Sequence, residues 1–246
     1  MSKPIYWSIP ATLCAAACVD LHWYLNPPMD LLVFDLDGTL LDTTLDLANS
    51  VNATRLYLGL PPLPVPLVAS YVGNGVPVLV RKSLGAQASD QQVDDAITYF
   101  MAWYRDHMLE HTRPYPGVIE GLDLCHGEDR KMAVLTNKPV RFSQTLLTGL
   151  SMDKYFFRVY GGNSFPEKKP NPLGLFKLME EAGVSPERTW MIGDSSVDVL
   201  TARNAGVHCV GVTYGIKPES LATYPPDLLL DSLTQLPAAL RPAVAS

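Results

Sequence analysis

The chain has 246 residues, a net charge of −6, a pI of about 5.3 and 47% hydrophobic residues, enough for a sizeable core in one large domain or two modest ones. The acidic balance argues against nucleic acid or an anionic membrane surface as the main partner, while a local cationic pocket stays open. No stretch reaches the ~18 consecutive apolar residues of a membrane span. The cysteines (Cys14, Cys18, Cys125, Cys209) form no C-x-x-C pair, which reads as free thiols in a reducing cytoplasm.

In chain order, residues 1–29 differ from the rest, with Trp7, Trp23 and the Ala15-Ala16-Ala17 run. Pro10 and the single basic residue Lys3 weaken a signal-peptide reading, so an upstream extension is expected, with the folded chain starting near Met29. Leu31 to Phe34 reads as a buried strand that stops at Asp35-Leu36-Asp37-Gly38-Thr39. Alternation along a strand would aim Asp35 and Asp37 at the same side, and two like charges there need a cation or a proton. Leu47, Ala48, Val51 and Leu58 then keep helical spacing until Gly59 and Pro61-Pro62. Leu63 to Pro66 is too proline-rich for a regular helix. Tyr71-Val72-Gly73-Asn74-Gly75 is a glycine-flanked turn leading into a short helix. Val93, Ala96, Ile97, Phe100, Met101, Tyr104 and Met108 form a core-packing stripe. Residues 43–112 are therefore expected to be an all-helical insert.

Beyond Pro114 and Pro116-Gly117, strands and helices alternate. Strands are expected at Met132–Thr136, Phe156–Tyr160, Thr189–Gly193, Val207–Val212 and, at an edge, Leu228–Leu230. Helices are expected at Phe142–Leu150, Leu173–Ala182 and Val197–Ala205. Alternation of this kind implies an α/β fold with a parallel sheet, whose ligand sits beyond the carboxyl ends of the strands. The segments just past the strands carry reactive side chains: Asp35-x-Asp37-Gly38-Thr39, Thr136-Asn137-Lys138-Pro139, Lys168-Lys169-Pro170 and Gly193-Asp194-Ser195-Ser196-x-Asp198. An acidic cluster with hydroxyl, amide and ammonium donors suits a hard cation and a phosphate, and oxygen ligands favour Mg²⁺. No Cys/His cluster has zinc spacing, and His107, His111, His126 and His208 read as structural or exposed.

These four signatures, in this order over residues 30–235, resemble the haloacid dehalogenase-like superfamily of phosphohydrolases. The turn at 71–75, Thr136-Asn137-Lys138-Pro139 and Val212-Thr213-Tyr214-Gly215 are similar to its phosphoglycolate phosphatase-type subgroup. The resemblance implies a Rossmann-like core (30–42 and 113–246) with a small helical cap (43–112). It implies Asp35 as the nucleophile, forming an aspartyl-phosphate, and Asp37 as acid and then base. Mg²⁺ would bind the Asp35 carboxylate, the Asp37 backbone carbonyl and Asp194, with Asp198 more suited to orienting the metal shell. Thr136, the Asn137 backbone and Lys169 would hold the phosphate. Lys168 is the alternative lysine, although the one directly before Pro170 fits the pattern better. Gly73 and Asn74 join the phosphate-binding candidates. Arg81 either clamps a substrate carboxylate or is a surface arginine.

Within that family, an acid at the Asp37 position favours phosphate esters over dehalogenation, because an alkoxide needs a proton and a halide does not. The expected activity is hydrolysis of a small phosphate ester, 2-phosphoglycolate first, by a cytoplasmic monomer or homodimer. The alternatives are an amino-sugar phosphate phosphatase, a sugar phosphomutase of the same fold, and a silent binding module, which the full acidic set disfavours.

Overall fold

The computed structural model describes residues 30–240. The expected extension at 1–29, with Cys14 and Cys18, lies outside the described residues. Six strands form one parallel sheet: β1 (Leu31–Phe34), β4 (Lys131–Leu135), β5 (Arg158–Tyr160), β6 (Thr189–Gly193), β7 (His208–Val212) and β8 (Leu228–Leu230), in the order β5-β4-β1-β6-β7-β8. The chain first builds outward on one side of β1 and then returns to build on the other, so β1 lies at the reversal of strand order. That is where a parallel sheet opens a crevice for a ligand.

Alternation along β1 splits the core. Leu31 and Val33 face α7 (Leu173–Ala182) and α8 (Ser196–Ala205), whose Leu175, Leu178, Val199 and Ala202 are buried with them. Leu32 and Phe34 face α5 (Val118–Gly127) and α6 (Val140–Gly149), through Val118, Leu122, Leu146 and Leu147. Strands apolar on both faces are what a doubly covered parallel sheet requires.

Between β1 and β4 the chain forms α1 (Thr44–Tyr57), α2 (Val65–Ala69), α3 (Val76–Leu84) and α4 (Asp90–His107). The stripe on α4 buries Val93, Ala96, Phe100 and Tyr104 as expected from its spacing. Ser89 caps α4 in a reciprocal capping box with Gln92, which sets its start. A two-stranded ribbon, β2 (Leu41–Asp42) against β3 (Arg113–Pro114), closes the base of the helical segment. The buried Asp46 carboxylate reinforces it by accepting from the backbones of His111 and Thr112 and from the Thr112 hydroxyl, at 2.8–3.1 Å.

Several elements differ from expectation. Helix α2 runs through the proline-rich stretch, because Pro66 falls in its first turn, where a missing N–H costs nothing. Helix α5 is absent from the sequence reading, since its glycines at 117, 121 and 127 mask a short apolar face. Gly121 is required there: a Cβ would lie 2.7 Å from the backbone of Leu233. Strand β5 starts at Arg158 rather than Phe156, because the 3₁₀ turn Asp153–Tyr155 runs up to it.

Candidate active site

The sheet register brings the sequence motifs together. Phe34 is level with Val134 on β4 and with Ile192 on β6, so Asp35, Thr136 and Asp194 emerge side by side at the carboxyl edge. The amide of Asp35 donates to the Ile192 carbonyl at 2.9 Å, which holds the end of β1 against β6. From the loop after β5 comes Lys169, whose side chain is 1% exposed. Its ammonium lies 3.0 Å from Asp35 Oδ1 and 2.7 Å from Asp198 Oδ1. Burial alone would lower the Lys169 pKa, but Asp198 and Asp35 overcome it and push it up, so this lysine is a fixed cation. Lys168, by contrast, donates to the Asn74 carbonyl at 2.6 Å, so of the two adjacent lysines Lys169 is the one at the carboxylates.

Asp194 and Asp198 are held differently. Asp194 Oδ2 accepts from the amides of Ile216 and Lys217 at 2.7 and 3.0 Å. Asp198 caps the start of α8, with Oδ2 accepting from the Ser195 amide and hydroxyl while Oδ1 meets Lys169. Carboxylate oxygens of Asp35, Asp194 and Asp198 all lie within 4.8 Å of one another, and all three residues are buried. Burial pushes Asp194 up to about 7, helped by Asp198 and Asp35. Burial likewise pushes Asp35 up to about 6, with Lys169 pulling the other way. Three carboxylates so close with one lysine between them are electrostatically undercompensated, and all-oxygen donors suit a hard divalent cation. The surrounding backbone is moulded to the same point. Gly38, at φ +88°, passes so close that a Cβ would sit 2.4 Å from Asp194 Oδ2. A Cβ on Gly215 would sit 2.2 Å from the Asp194 Cβ and 2.4 Å from the Gly38 carbonyl oxygen.

Asp37 has a cation of its own, which the sequence reading did not assign. Lys138 Nζ lies 2.9 and 3.2 Å from its two carboxylate oxygens, and the Thr43 hydroxyl donates to Oδ1 at 2.7 Å. The pair of aspartates is thus resolved by two separate lysines. The cleft above them is lined by Asp35, Asp37, Thr136, Asn137 and Lys138 from the sheet edge, and by Leu47, Val72, Gly73, Val76 and Leu79 from the helical segment. The side from the helical segment is therefore mostly apolar, and the side from the sheet edge is polar and charged.

The turn at 71–75 is anchored through its backbone. Its successive carbonyls are tied to the sheet edge: Val72 accepts from the Lys217 ammonium, Gly73 from Asn137 Nδ2 and Asn74 from Lys168. Gly73 still lines the cleft, but Asn74 serves as a backbone tie rather than a wall of the cleft. Arg81 has partners within the helical segment. Its guanidinium donates to the Ala88 carbonyl at 3.0 Å and pairs with Asp90 at the start of α4, so it braces the helical segment internally and is not part of the cleft wall. Among the described histidines, His107 pairs with Glu110 and His208 stacks on Trp190. Cys125 and Cys209 are buried free thiols, and burial pushes Cys125 up to about 12. No described helix is long and apolar enough to cross a membrane.

A parallel sheet with a helical segment inserted after the first strand, and carboxylates and a buried lysine gathered at its reversal point, defines an α/β protein of Rossmann-like architecture with a site suited to a cation and a phosphate. Comparison narrows the class. A family model described as haloacid dehalogenase-like hydrolase matches residues 32–212, and the chain belongs to that family. The chain is 42% identical over 220 residues to the phosphoglycolate phosphatase of Pseudomonas fluorescens, covering 87% of this chain and 80% of that protein. It is 38% identical over 209 residues to the phosphoglycolate phosphatase of Chromobacterium violaceum, covering 83% of this chain and 93% of that one. The crystal structure of a predicted phosphoglycolate phosphatase from Haemophilus somnus superposes with a TM-score of 0.82 at 31% identity, covering 87% of this chain and 98% of that one.

Proposed function

We propose that this chain is a Mg²⁺-dependent phosphatase that hydrolyses 2-phosphoglycolate to glycolate through an aspartyl-phosphate on Asp35. The observation that carries the reading is the Asp35–Lys169 contact at 3.0 Å beside Asp194, in a chain about 40% identical to proteins named phosphoglycolate phosphatase. Asp35 Oδ attacks phosphorus and the bond to the ester oxygen breaks. Asp37 gives that oxygen its proton, and later takes one from the water that cleaves the aspartyl-phosphate. Thr136 and the Asn137 backbone donate to the phosphoryl oxygens, and Lys169 holds both the nucleophile and the phosphate. Asp35, the Asp37 carbonyl and Asp194 would hold Mg²⁺, which when bound would supply neutralisation of charge on the transferring group. Asp198 positions Lys169 and the metal shell rather than binding directly, since Ser195 and Lys169 already occupy its oxygens. Residues 43–112 act as the cap: their apolar wall leaves room for a small leaving group and shields the intermediate from bulk water. The buried thiols accord with a cytoplasmic enzyme.

The test is a panel of phosphorylated metabolites with Mg²⁺ present or chelated. The expected result is turnover of 2-phosphoglycolate that EDTA abolishes and Mg²⁺ restores. Faster turnover of an amino-sugar or other sugar phosphate would overturn the substrate, and transfer of the phosphoryl group between sugar hydroxyls would overturn hydrolysis in favour of a mutase.

A further inference from the structure

Asp37 is gripped more firmly than charge neutralisation requires. Its Oδ1 accepts from two donors, the Thr43 hydroxyl at 2.7 Å and the Lys138 ammonium at 2.9 Å, whereas Oδ2 meets only Lys138, at 3.2 Å, among the described residues. A lysine side chain ordinarily keeps several rotamers, but this one is 3% exposed and fixed at both ends. At the backbone, its amide donates to Thr136 Oγ1 at 3.3 Å and its carbonyl accepts from the Gly162 amide at 2.9 Å. At the tip, Nζ sits 4.7 Å from the ring centre of Tyr104 on α4, a buried ring packed edge-on against Phe142 at 5.3 Å. Both Asp37 and Lys138 face the cleft.

We infer that Lys138 is the positioning residue for Asp37 in the leaving-group step. The two contacts on Oδ1 fix the carboxylate rotamer and turn Oδ2, its less occupied oxygen, to the oxygen that departs. In that step the phosphorus–oxygen bond breaks, its electron pair stays on the leaving oxygen, and the proton of Asp37 passes to it. The carboxylate left behind finds the ammonium already in place, with no reorganisation at the moment of transfer. Lys169, 3.0 Å from Asp35, serves the attacking side, so each half of the reaction has its own lysine. The inference rests on the reading of Asp37 as the general acid.

Leaving-group dependence separates positioning from a structural role. An alkyl ester such as 2-phosphoglycolate needs its oxygen protonated as it departs; p-nitrophenyl phosphate does not. Steady-state kinetics with Mg²⁺ would compare wild type, Asp37→Asn, Lys138→Met and Lys138→Arg on both esters. Asp37→Asn and Lys138→Met are expected to lose about 100-fold on the alkyl ester in kcat/KM, which reports only the steps up to leaving-group departure, within the range for general acid catalysis. Both are expected to lose under ~5-fold in kcat/KM on the aryl ester, while kcat, which includes the hydrolysis of the aspartyl-phosphate common to both esters, falls on both. Lys138→Arg keeps the buried charge, and so the fold, but cannot reproduce the compact contact; a selective loss of about 10-fold is expected. If Asp37→Asn is selective while the Lys138 variants lose kcat/KM equally on both esters, or Lys138→Arg is fully active on the alkyl ester, the inference is wrong. If Asp37→Asn itself lacks selectivity, the reading of Asp37 as the acid is what fails.

Discussion

Replacing Lys169 by methionine removes the only cation within hydrogen-bond reach of both Asp35 and Asp198 among the described residues, and leaves a side chain of similar length. Asp198 is fully buried and Asp35 is 8% exposed, so neither carboxylate regains water. Breaking a buried ion pair by deleting one partner costs about 3–5 kcal/mol. In a domain of this size, each kcal/mol lowers the melting temperature by about 2–4 °C, so a fall of roughly 6–20 °C is expected at pH 7.5 in EDTA. The effect has a sign in pH. Asp35 already titrates near 6 because burial raises it, and loss of Lys169 raises it further. A carboxylate whose folded pKa lies above its ordinary 3.8 carries no penalty below that value and the full penalty above the folded one. At pH 5 the native state takes up a proton instead, which limits the cost per carboxylate to about 1.6 kcal/mol at 1.36 kcal/mol per pH unit. Asp35, already pushed up to about 6 with Lys169 present, is largely protonated at pH 5 in both proteins and drops out of the difference, so the melting deficit should shrink by about half or more between pH 7.5 and 5. The double variant Lys169→Met/Asp198→Asn should recover part of it at pH 7.5. Thermal unfolding followed by circular dichroism reads all three. A deficit under ~2 °C at pH 7.5, or one that does not shrink on acidification, would refute the reasoning that this lysine compensates buried charge.

The nucleophile assignment predicts that Asp35→Asn, an isosteric change, lowers turnover of both alkyl and aryl phosphates by at least ~10³-fold while the circular dichroism spectrum stays unchanged; aryl phosphatase activity at the wild-type rate would sink it. Because burial pushes Asp35 up to about 6 and Asp194 up to about 7, protons compete with the cation below neutrality. Mg²⁺ measured by calorimetry should therefore bind at least ~10-fold more tightly at pH 7.5 than at pH 5.5, and its stabilising effect should be largest above pH 7, where ionised carboxylates cost the metal-free protein most; an affinity flat across that range contradicts the site. Gly215→Ala places a Cβ 2.2 Å from the Asp194 Cβ and 2.4 Å from the Gly38 carbonyl oxygen, with backbone on one side that cannot yield. It should cost about 1–3 kcal/mol of stability and weaken Mg²⁺ binding by an order of magnitude or more, whereas unchanged binding would mean that the loop does not position Asp194.

Much of this was legible in the sequence because it depends on local periodicity and on the order of motifs. The apolar run ending in Asp35-x-Asp37, the strand–helix alternation and the four motifs each arise from short-range rules of strand, helix and turn. Parallel topology then obliges motifs at strand ends to meet at one edge. The family resemblance favours Lys169 over Lys168 for its place directly before Pro170, and it is Lys169 that lies beside Asp35. The features that escaped have causes far along the chain. Helix α5 is stabilised by Leu233 packed over Gly121, and the β2–β3 ribbon by residues more than 70 apart.

The same division holds at the site. The chain by itself specifies which groups reach the carboxyl edge, because strand alternation and sheet register leave them little choice. It does not specify which charge compensates which, because ion pairing depends on side-chain direction across elements that only folding brings together. Lys138 lies within a motif read from the sequence, yet its partner Asp37 is 101 positions away and its aromatic seat, Tyr104, belongs to the helical segment. Arg81 has the chemistry to hold a substrate carboxylate, but Asp90 and the Ala88 carbonyl claim it first. The two aspartates that would repel one another at the end of β1 are separated electrostatically by two lysines arriving from different loops. Tertiary structure decided that, because Coulomb energy in a buried site depends on distance through space and not along the chain.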